Sequence, residues 1–142
     1  MDEQTQAHVI PNFWLDSVEP VRDFYLEKLG FSHMMGVVGK DGKLDFAIVI
    51  RDGLQIMLGR PQKPLEGANP SRDRTVDIYL RVKDVDAFHT EVSKKDVKPV
   101  EKLETQWWGD RTFAVKDPYG YTLWFFQTVT TEIKPPPGVK MI

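Results

Sequence analysis

Residues 108–127, WGDRTFAVKDPYGYTLWFFQ, contain two apolar blocks on either side of a polar turn. The blocks at 112–116 and 121–127 have the β-branched and aromatic composition of strands. Between them lies Asp117-Pro118-Tyr119-Gly120, in which Pro presets φ and Gly tolerates a positive φ. The segment therefore predicts a β-hairpin near the end of the chain, with Arg111 and Asp117 in structural turn and strand-end contacts. Trp107 and Trp108 are expected in a loop before it.

The same pattern occurs once before in the chain, at a constant offset of 67 residues. The aligned features are a strand end, a helix start, a second strand and a hairpin glycine. They are Leu15 with Val82, Ser17 with Asp84, Phe46-Ala47-Ile48 with Phe113-Ala114-Val115, and Gly53 with Gly120. A half of about 60 residues buries too little surface to be stable alone, so the two copies are expected to pair, either within one chain or across a dimer.

Two helices and five further strands complete the predicted elements. The first helix starts at Asp16 or Ser17, with Asp16 and Glu19 spaced as a capping box and Gly30 as its end. The first helix has an apolar stripe whose residues repeat at helical spacing, and so does a second helix that starts at Asp84. The stripes are Val21, Phe24, Tyr25 and Leu29, then Val85, Phe88 and Val92. The further strands are expected at 8–15, 44–50, 54–58 and 76–82, with another in 98–103.

The composition excludes several classes of protein. Of 142 residues, 41% are hydrophobic and 28% charged, and the formal net charge is −2. That balance is typical of a globular domain, and it offers no basic surface for nucleic acid. No run approaches the roughly 18 apolar residues of a membrane span, and residues 1–7 lack a signal-peptide pattern. The chain has no cysteine, which excludes disulfides and thiolate zinc sites and favours a cytoplasmic location.

Three segments resemble the vicinal oxygen chelate superfamily, which includes glyoxalase I, bleomycin-resistance proteins and extradiol dioxygenases. They are VEPVRDFYLEKLGF at 18–31, RVKDVDAFHTEV at 81–92 and WGDRTFAVKDPYGYTLWFFQ at 108–127. The third looks most like the bleomycin-resistance branch, because a Trp-Gly-x-Arg run precedes a strand and an Asp-Pro-x-Gly turn. The resemblance implies an α+β fold of two tandem βαβββ modules, which form a curved mixed sheet around a cleft, and a homodimer.

We expect one domain over residues 1–142, with a first module at 8–60 and a second at 75–128. Residues 59–74 contain three Pro and two Gly and are typical of a long surface loop. Residues 36–42 (GVVGKDG) predict a turn. The Pro-rich residues 129–142 are expected to leave the fold as an extended tail.

The resemblance also implies where a metal would bind. Metal-using members take ligands from the first and last strands of each module, positions that fall on Ile10, Met57, Asp77 and Trp124. Of these side chains only the Asp77 carboxylate suits Zn²⁺, Ni²⁺ or Fe²⁺, so we expect no catalytic metal and no cofactor. In an alternative triad, His8, Gln55 and Asp77 keep the same strand faces, but the shifted donors lie about 7 Å along their strands.

The loss of chelating groups predicts an apolar, aromatic surface suited to a small ligand. Asp77 is the most specific of the residues expected on it, since an unpaired carboxylate in an apolar strand is costly to bury. It would bind a ligand cation, act as a base, or pair with a basic side chain. A competing interpretation places the aromatic residues in the core. The expected ligand-binding residues are Trp14, Gln55, Met57, Asp77, Tyr79, Trp107, Trp108 and Trp124.

Three functional hypotheses follow. The first is a protein that sequesters a small aromatic or planar molecule without metal, as the resemblance to bleomycin-resistance proteins implies. The second is a metal-dependent lyase, isomerase or dioxygenase with shifted ligands. The third is a non-catalytic dimeric interaction module. The sequence has no Gly-x-Ser-x-Gly elbow and no phosphate-binding glycine loop, which favours binding over catalysis.

Overall fold

A computed structural model describes residues 9–60, 77–139 and 141 of the chain. Within these residues the order βαβββ occurs twice and gives two four-stranded mixed sheets and two helices. The predicted α+β fold with two modules is therefore confirmed. Two compact units take their residues from 1–74 with 117–121, and from 75–116 with 122–142. No helix in the described part of the chain is long and apolar enough to cross a membrane.

The first unit contains one helix and a sheet of strand order β1-β4-β3-β2. β1 and β4 are parallel, and the other pairs are antiparallel. Its elements are β1 (Asn12–Trp14), α1 (Val18–Glu27), β2 (Ser32–Val38), β3 (Leu44–Arg51) and β4 (Leu54–Gly59).

The second unit repeats this topology in the order β5-β8-β7-β6. β5 and β8 are parallel, and β8 then pairs antiparallel with β7. Its elements are β5 (Asp77–Arg81), α2 (Val85–Ser93), β6 (Glu101–Thr105), β7 (Asp110–Lys116) and β8 (Thr122–Thr128).

Each sheet buries alternate side chains on the face that meets its own helix. In the first unit Val21, Tyr25 and Leu29 of the predicted stripe are buried, while Phe24 is half-buried. In the second unit the whole predicted stripe is buried. The opposite face of each sheet, which we call its open face, carries the half-exposed side chains that concern function.

The two helix starts differ in how they are capped. Asp84 caps α2 by accepting a hydrogen bond from the Ala87 amide at 3.0 Å. Ser17 precedes α1 without a side-chain cap, so the predicted capping box is wrong. The Glu19 carboxylate instead accepts from the Leu44 amide at 3.0 Å, and this ties the helix to the start of β3. After the end of α1, Gly30 adopts the left-handed conformation with φ +70°, as its position predicted.

Strand boundaries differ from the predictions where the chain lies at an edge. The predicted turn at 36–42 is wrong in part, because β2 continues to Val38 and all its residues are exposed. The strand predicted at 8–15 covers only Asn12–Trp14 in the described residues, since the preceding Pro11 has no N–H to donate. The strand sought in 98–103 lies at Glu101–Thr105. His8, positions 61–74 of the predicted loop and position 76 of the predicted strand 76–82 lie outside the described residues.

The internal repeat holds at 67 residues for the first strand, the helix and the last strand. Asn12 pairs with Met57, and Tyr79 pairs with Trp124 in the same way. The third strand is shifted by one residue: Ala47 opposite Leu58 corresponds to Phe113 opposite Phe125. The cause is the hairpin, which turns between paired Arg51 and Leu54 in one copy and between paired Lys116 and Thr122 in the other.

The turn Asp117–Tyr121 belongs to the first unit and is held there by buried polar contacts. The Tyr25 hydroxyl donates to Asp117 Oδ2 at 3.0 Å, and Asp117 Oδ1 accepts from the amides of Tyr119 and Tyr121. The ring of Tyr121 stacks on Phe13 with a centroid separation of 3.9 Å. The structural role predicted for Asp117 is thus confirmed.

Candidate ligand-binding site

The open face of the second sheet brings together most of the predicted ligand-binding residues. Leu80, Leu123 and Phe125 are buried on the helix side of this sheet. Alternation along β5 and β8 therefore places their neighbours on the open face. These neighbours are Asp77, Tyr79, Arg81, Trp124 and Phe126, with Tyr79 opposite Trp124 and Arg81 opposite Phe126.

The ring of Tyr79 is held by a stacking contact on its face and by hydrogen bonds at its hydroxyl. The ring stacks on Phe126 with centroids 4.3 Å apart. Its hydroxyl donates to Asp110 Oδ2 at 2.8 Å and accepts from Trp108 Nε1 at 3.2 Å. Thr128 Oγ donates to the other oxygen of Asp110 at 2.7 Å. The side chain of Tyr79 is still 45% exposed, so it presents a rigid aromatic surface to solvent.

The environment of the Tyr79 hydroxyl raises its pKa above the ordinary value for tyrosine, so the hydroxyl is neutral. Partial burial is the main cause that raises the pKa of Tyr79. The Trp108 hydrogen bond lowers this pKa, while the hydrogen bond to Asp110 and the charge of Asp110 raise it. A neutral hydroxyl can donate to the carboxylate, which is the arrangement that fixes the ring.

Asp77 is exposed, so the burial cost considered from the sequence does not arise. Trp124 Nε1 donates to Asp77 Oδ2 at 3.0 Å, and the indole is therefore oriented by this carboxylate. Asp77 is thus an acidic residue in an otherwise apolar strand, and its carboxylate serves to orient Trp124.

Trp107 and Trp108 lie in the loop before β7, as predicted. Their rings are perpendicular with centroids 5.4 Å apart; Trp108 is 38% exposed and Trp107 half-buried. The chain after β8 holds this loop, since the Lys134 amide donates to the Trp107 carbonyl. The start of the Pro-rich tail is thus tied to this loop at Lys134, and the extended course expected for the residues after it stays a prediction.

The first unit carries the other three predicted residues on its own open face. Trp14 is 47% exposed, and its ring lies against Gly59, where a Cβ would be 3.2 Å from Trp14 Cζ3. Met57 lies opposite Asn12 and is half-buried. Gln55 lines an apolar depression of about 410 Å³. The depression is bounded by Ser32, Met34, Ile50, Arg51, Asp52, Gly53, Leu54 and Gln55.

The donor set at the metal-ligand positions does not fit a catalytic metal. Ile10, Met57 and Trp124 offer no hard donor, and one oxygen of Asp77 accepts from the Trp124 indole. Across residues 9–60 and 77–139, no three His, Cys, Asp or Glu side chains cluster as metal ligands would. His8 of the alternative triad lies outside the described residues, so that triad remains a hypothesis.

The predicted ligand-binding residues leave out two kinds of contributor to this face. Alternation along the strand puts Arg81 on the same face as Asp77 and Tyr79, and its guanidinium carbon lies 4.7 Å from the Phe126 ring centre. Asp110 and Thr128 are brought together by β7–β8 pairing, which no local pattern shows. Arg111, by contrast, pairs with Asp86 at 3.1 Å, which is the structural role predicted for it.

Comparison with known proteins bears on the family. Residues 6–125 match the family model of the Glyoxalase/Bleomycin resistance protein/Dioxygenase superfamily. The chain belongs to this superfamily. Uncharacterized proteins of Mycobacterium bovis and Mycobacterium tuberculosis are each 32% identical to this superfamily member over 121 residues. The alignments cover 78% of this chain, 76% of the Mycobacterium bovis protein and 68% of the Mycobacterium tuberculosis protein.

Solved structures share the glyoxalase/bleomycin-resistance fold at lower identity. TioX from Micromonospora sp. ML1 has a TM-score of 0.70 at 19% identity, with 87% of this chain and 99% of that chain covered. The Tn5-encoded bleomycin resistance determinant has a TM-score of 0.68 at 22% identity, covering 87% and 98%. A bleomycin-binding protein complexed with bleomycin has a TM-score of 0.67 at 22% identity, covering 86% and 98%.

Proposed function

We propose that this superfamily member binds a small planar aromatic molecule without a metal ion and sequesters it. The observation that carries the proposal is the aromatic surface of the second sheet, where the half-exposed rings of Tyr79 and Trp108 are fixed by a shared hydrogen bond. Rings held in place stack on a flat ligand at little further entropic cost. The bleomycin-binding structural relative supports small-molecule binding by this fold.

The hydrogen bonds that the carboxylates on this face accept support binding of a ligand rather than its chemical conversion. Both oxygens of Asp110 accept hydrogen bonds, from Tyr79 and Thr128, and Asp77 accepts one from Trp124. These groups orient aromatic rings, a positioning role. The other predicted ligand-binding residues, Trp107 in the loop and Trp14, Gln55 and Met57 in the first unit, remain predictions for the same function.

The proposal is tested by titrating chelator-treated protein with anthraquinone-2-carboxamide, a planar uncharged probe that quenches indole fluorescence. We expect saturable quenching with one ligand per chain. Trp108→Leu should weaken binding by roughly 3–10-fold, because an aromatic stack contributes about 0.5–1.5 kcal/mol beyond buried area. Val100→Ala, an exposed apolar change in the same unit, serves as the control and should leave binding unchanged.

Two outcomes would count against the proposal. Absence of saturable quenching by planar probes of every charge would favour the interaction-module hypothesis. Near-stoichiometric Zn, Ni, Fe or Mn in protein purified without chelator, with binding lost on its removal, would favour the metal-dependent enzyme.

A further inference from the structure

We infer that Arg81 makes this face selective for planar aromatic ligands that carry an anionic group such as a carboxylate. The inference rests on the proposed function and deepens it by naming the ligand charge. The net charge of the whole chain, −2, is too small to indicate the charge of the ligand.

Arg81 is an exposed cation beside the aromatic surface. Its guanidinium carbon lies 4.7 Å from the centre of the Phe126 ring. Within residues 9–60 and 77–139 it has no carboxylate partner, whereas Arg22, Arg51, Arg60 and Arg111 each pair with an aspartate. Stacking on Phe126 orients the planar fork and leaves its N–H donors for an incoming anion.

The acidic groups on the same face are already engaged. Asp110 accepts hydrogen bonds on both oxygens, and Asp77 accepts the Trp124 indole N–H. Asp77 also lies four residues from Arg81 on the same strand, about 13 Å away. The internal donors reduce what these carboxylates offer a ligand cation, while a ligand anion meets a guanidinium that no acidic side chain of the described residues occupies.

The spacing matches an aromatic acid. The ring centre of Tyr79 and the guanidinium carbon of Arg81 lie 4.3 Å and 4.7 Å from the same Phe126 centroid, so at most 9.0 Å separates them. A two- or three-ring ligand stacked over Tyr79 thus extends a carboxylate into reach of Arg81. A guanidinium binds a carboxylate through two parallel charge-assisted hydrogen bonds, a geometry that lysine does not reproduce.

The test uses three probes with the same ring system and different charge: anthraquinone-2-carboxylate, anthraquinone-2-carboxamide and 2-(aminomethyl)anthraquinone. We expect the wild-type chain to bind the carboxylate about 5–10-fold more tightly than the amide, and the ammonium compound least well. The preference for the carboxylate should shrink in 0.5 M salt, because an exposed ion pair is screened.

Substitutions assign the preference to one residue. Arg81→Gln should reduce carboxylate affinity to that of the amide and leave amide affinity within twofold, and Arg81→Lys should restore only part of the preference. Arg111→Gln is the matched control, since it removes the same charge from the helix side of the sheet, where Arg111 pairs with Asp86, and should retain the preference. Near-UV circular dichroism checks that each variant keeps its aromatic packing.

Failure of this inference differs from failure of the proposed function. Equal binding of the three probes by the wild-type chain, or tighter binding of the ammonium compound, would overturn the role of Arg81 while leaving aromatic binding intact. Retention of the carboxylate preference in Arg81→Gln would overturn it as well. Absence of binding by all three probes would contradict the proposed function itself.

Discussion

At the scale of single residues, the buried contact between Tyr25 and Asp117 fixes the turn of the last hairpin. Tyr25 is fully buried and Asp117 is 4% exposed, and a carboxylate so placed must have all its oxygens satisfied. Two backbone amides and the Tyr25 hydroxyl supply these hydrogen bonds.

Tyr25→Phe removes one of these donors and leaves the carboxylate short of a partner. We expect it to lower the free energy of unfolding by roughly 1–3 kcal/mol, the usual cost of an unsatisfied buried group. Urea unfolding followed by circular dichroism measures the change. Ser32→Ala, which removes an exposed hydroxyl on β2, is the control and should cost less than about 0.5 kcal/mol. Equal losses in the two variants would contradict the role given to this pair.

The ionisation of Tyr25 determines how the stability of the protein changes with pH. Burial, followed by the charge of Asp117 and the hydrogen bond to it, raises the pKa of Tyr25 well above its ordinary value. The stability it contributes is complete below pH about 10, where the unfolded side chain is neutral, and is lost as the pH rises through the raised pKa. Wild-type stability should therefore fall more steeply above pH 10 than that of Tyr25→Phe.

At the scale of an element, the loop at 106–109 depends on one glycine. Gly109 has φ +98°, and its carbonyl accepts hydrogen bonds from the amides of Val129 and Thr130. A Cβ at this position would lie 2.2 Å from the Thr130 carbonyl oxygen, which belongs to the backbone. The loop can pack this closely against the segment after β8 only because Gly109 has no side chain.

Gly109→Ala is therefore expected to destabilise the chain by more than the roughly 1–3 kcal/mol of an unfavourable φ alone. Gly42→Ala is the matched control, since Gly42 has φ +79° and a Cβ there would meet nothing within 4 Å, so it should show only the conformational cost. Urea midpoints of the two variants give the difference. A midpoint for Gly109→Ala equal to that of Gly42→Ala would show that the backbone contact contributes nothing.

At the scale of the whole molecule, we expect a homodimer. Each βαβββ unit contains about 60 residues and buries a smaller share of its surface than a larger domain would, so closed two-fold association adds apolar burial. Native mass spectrometry at micromolar concentration should give twice the mass of the chain, and denaturing conditions should give the single-chain mass. A monomer at all concentrations up to about 100 μM, where even a weak dimer would form, would contradict the expectation.

Elements with one buried face could be predicted from the sequence, and those without one could not. The stripe Val85, Phe88 and Val92 predicted α2 because each of these residues is buried. β2 has every residue exposed and no alternation, so Gly36, with Gly39 and Gly42 after the strand, indicated a turn instead. The aligned Phe46 and Phe113 differ in face, because the longer turn at Asp117–Tyr121 shifts the register of β7 by one residue.

The sequence by itself determined the duplicated α+β architecture, because this follows from periodicity and from the constant spacing of the repeat. The resemblance to the family came from its motifs, and with it the expectation that the metal-ligand positions carry unsuitable side chains. Only the tertiary structure decided that the Asp77 carboxylate is exposed and holds Trp124, that Tyr79 is clamped by Asp110 and Trp108, and that Arg81 has no acidic partner in the described residues. These contacts join residues up to 47 positions apart. Their geometry depends on strand register and on side-chain direction, which local composition does not encode.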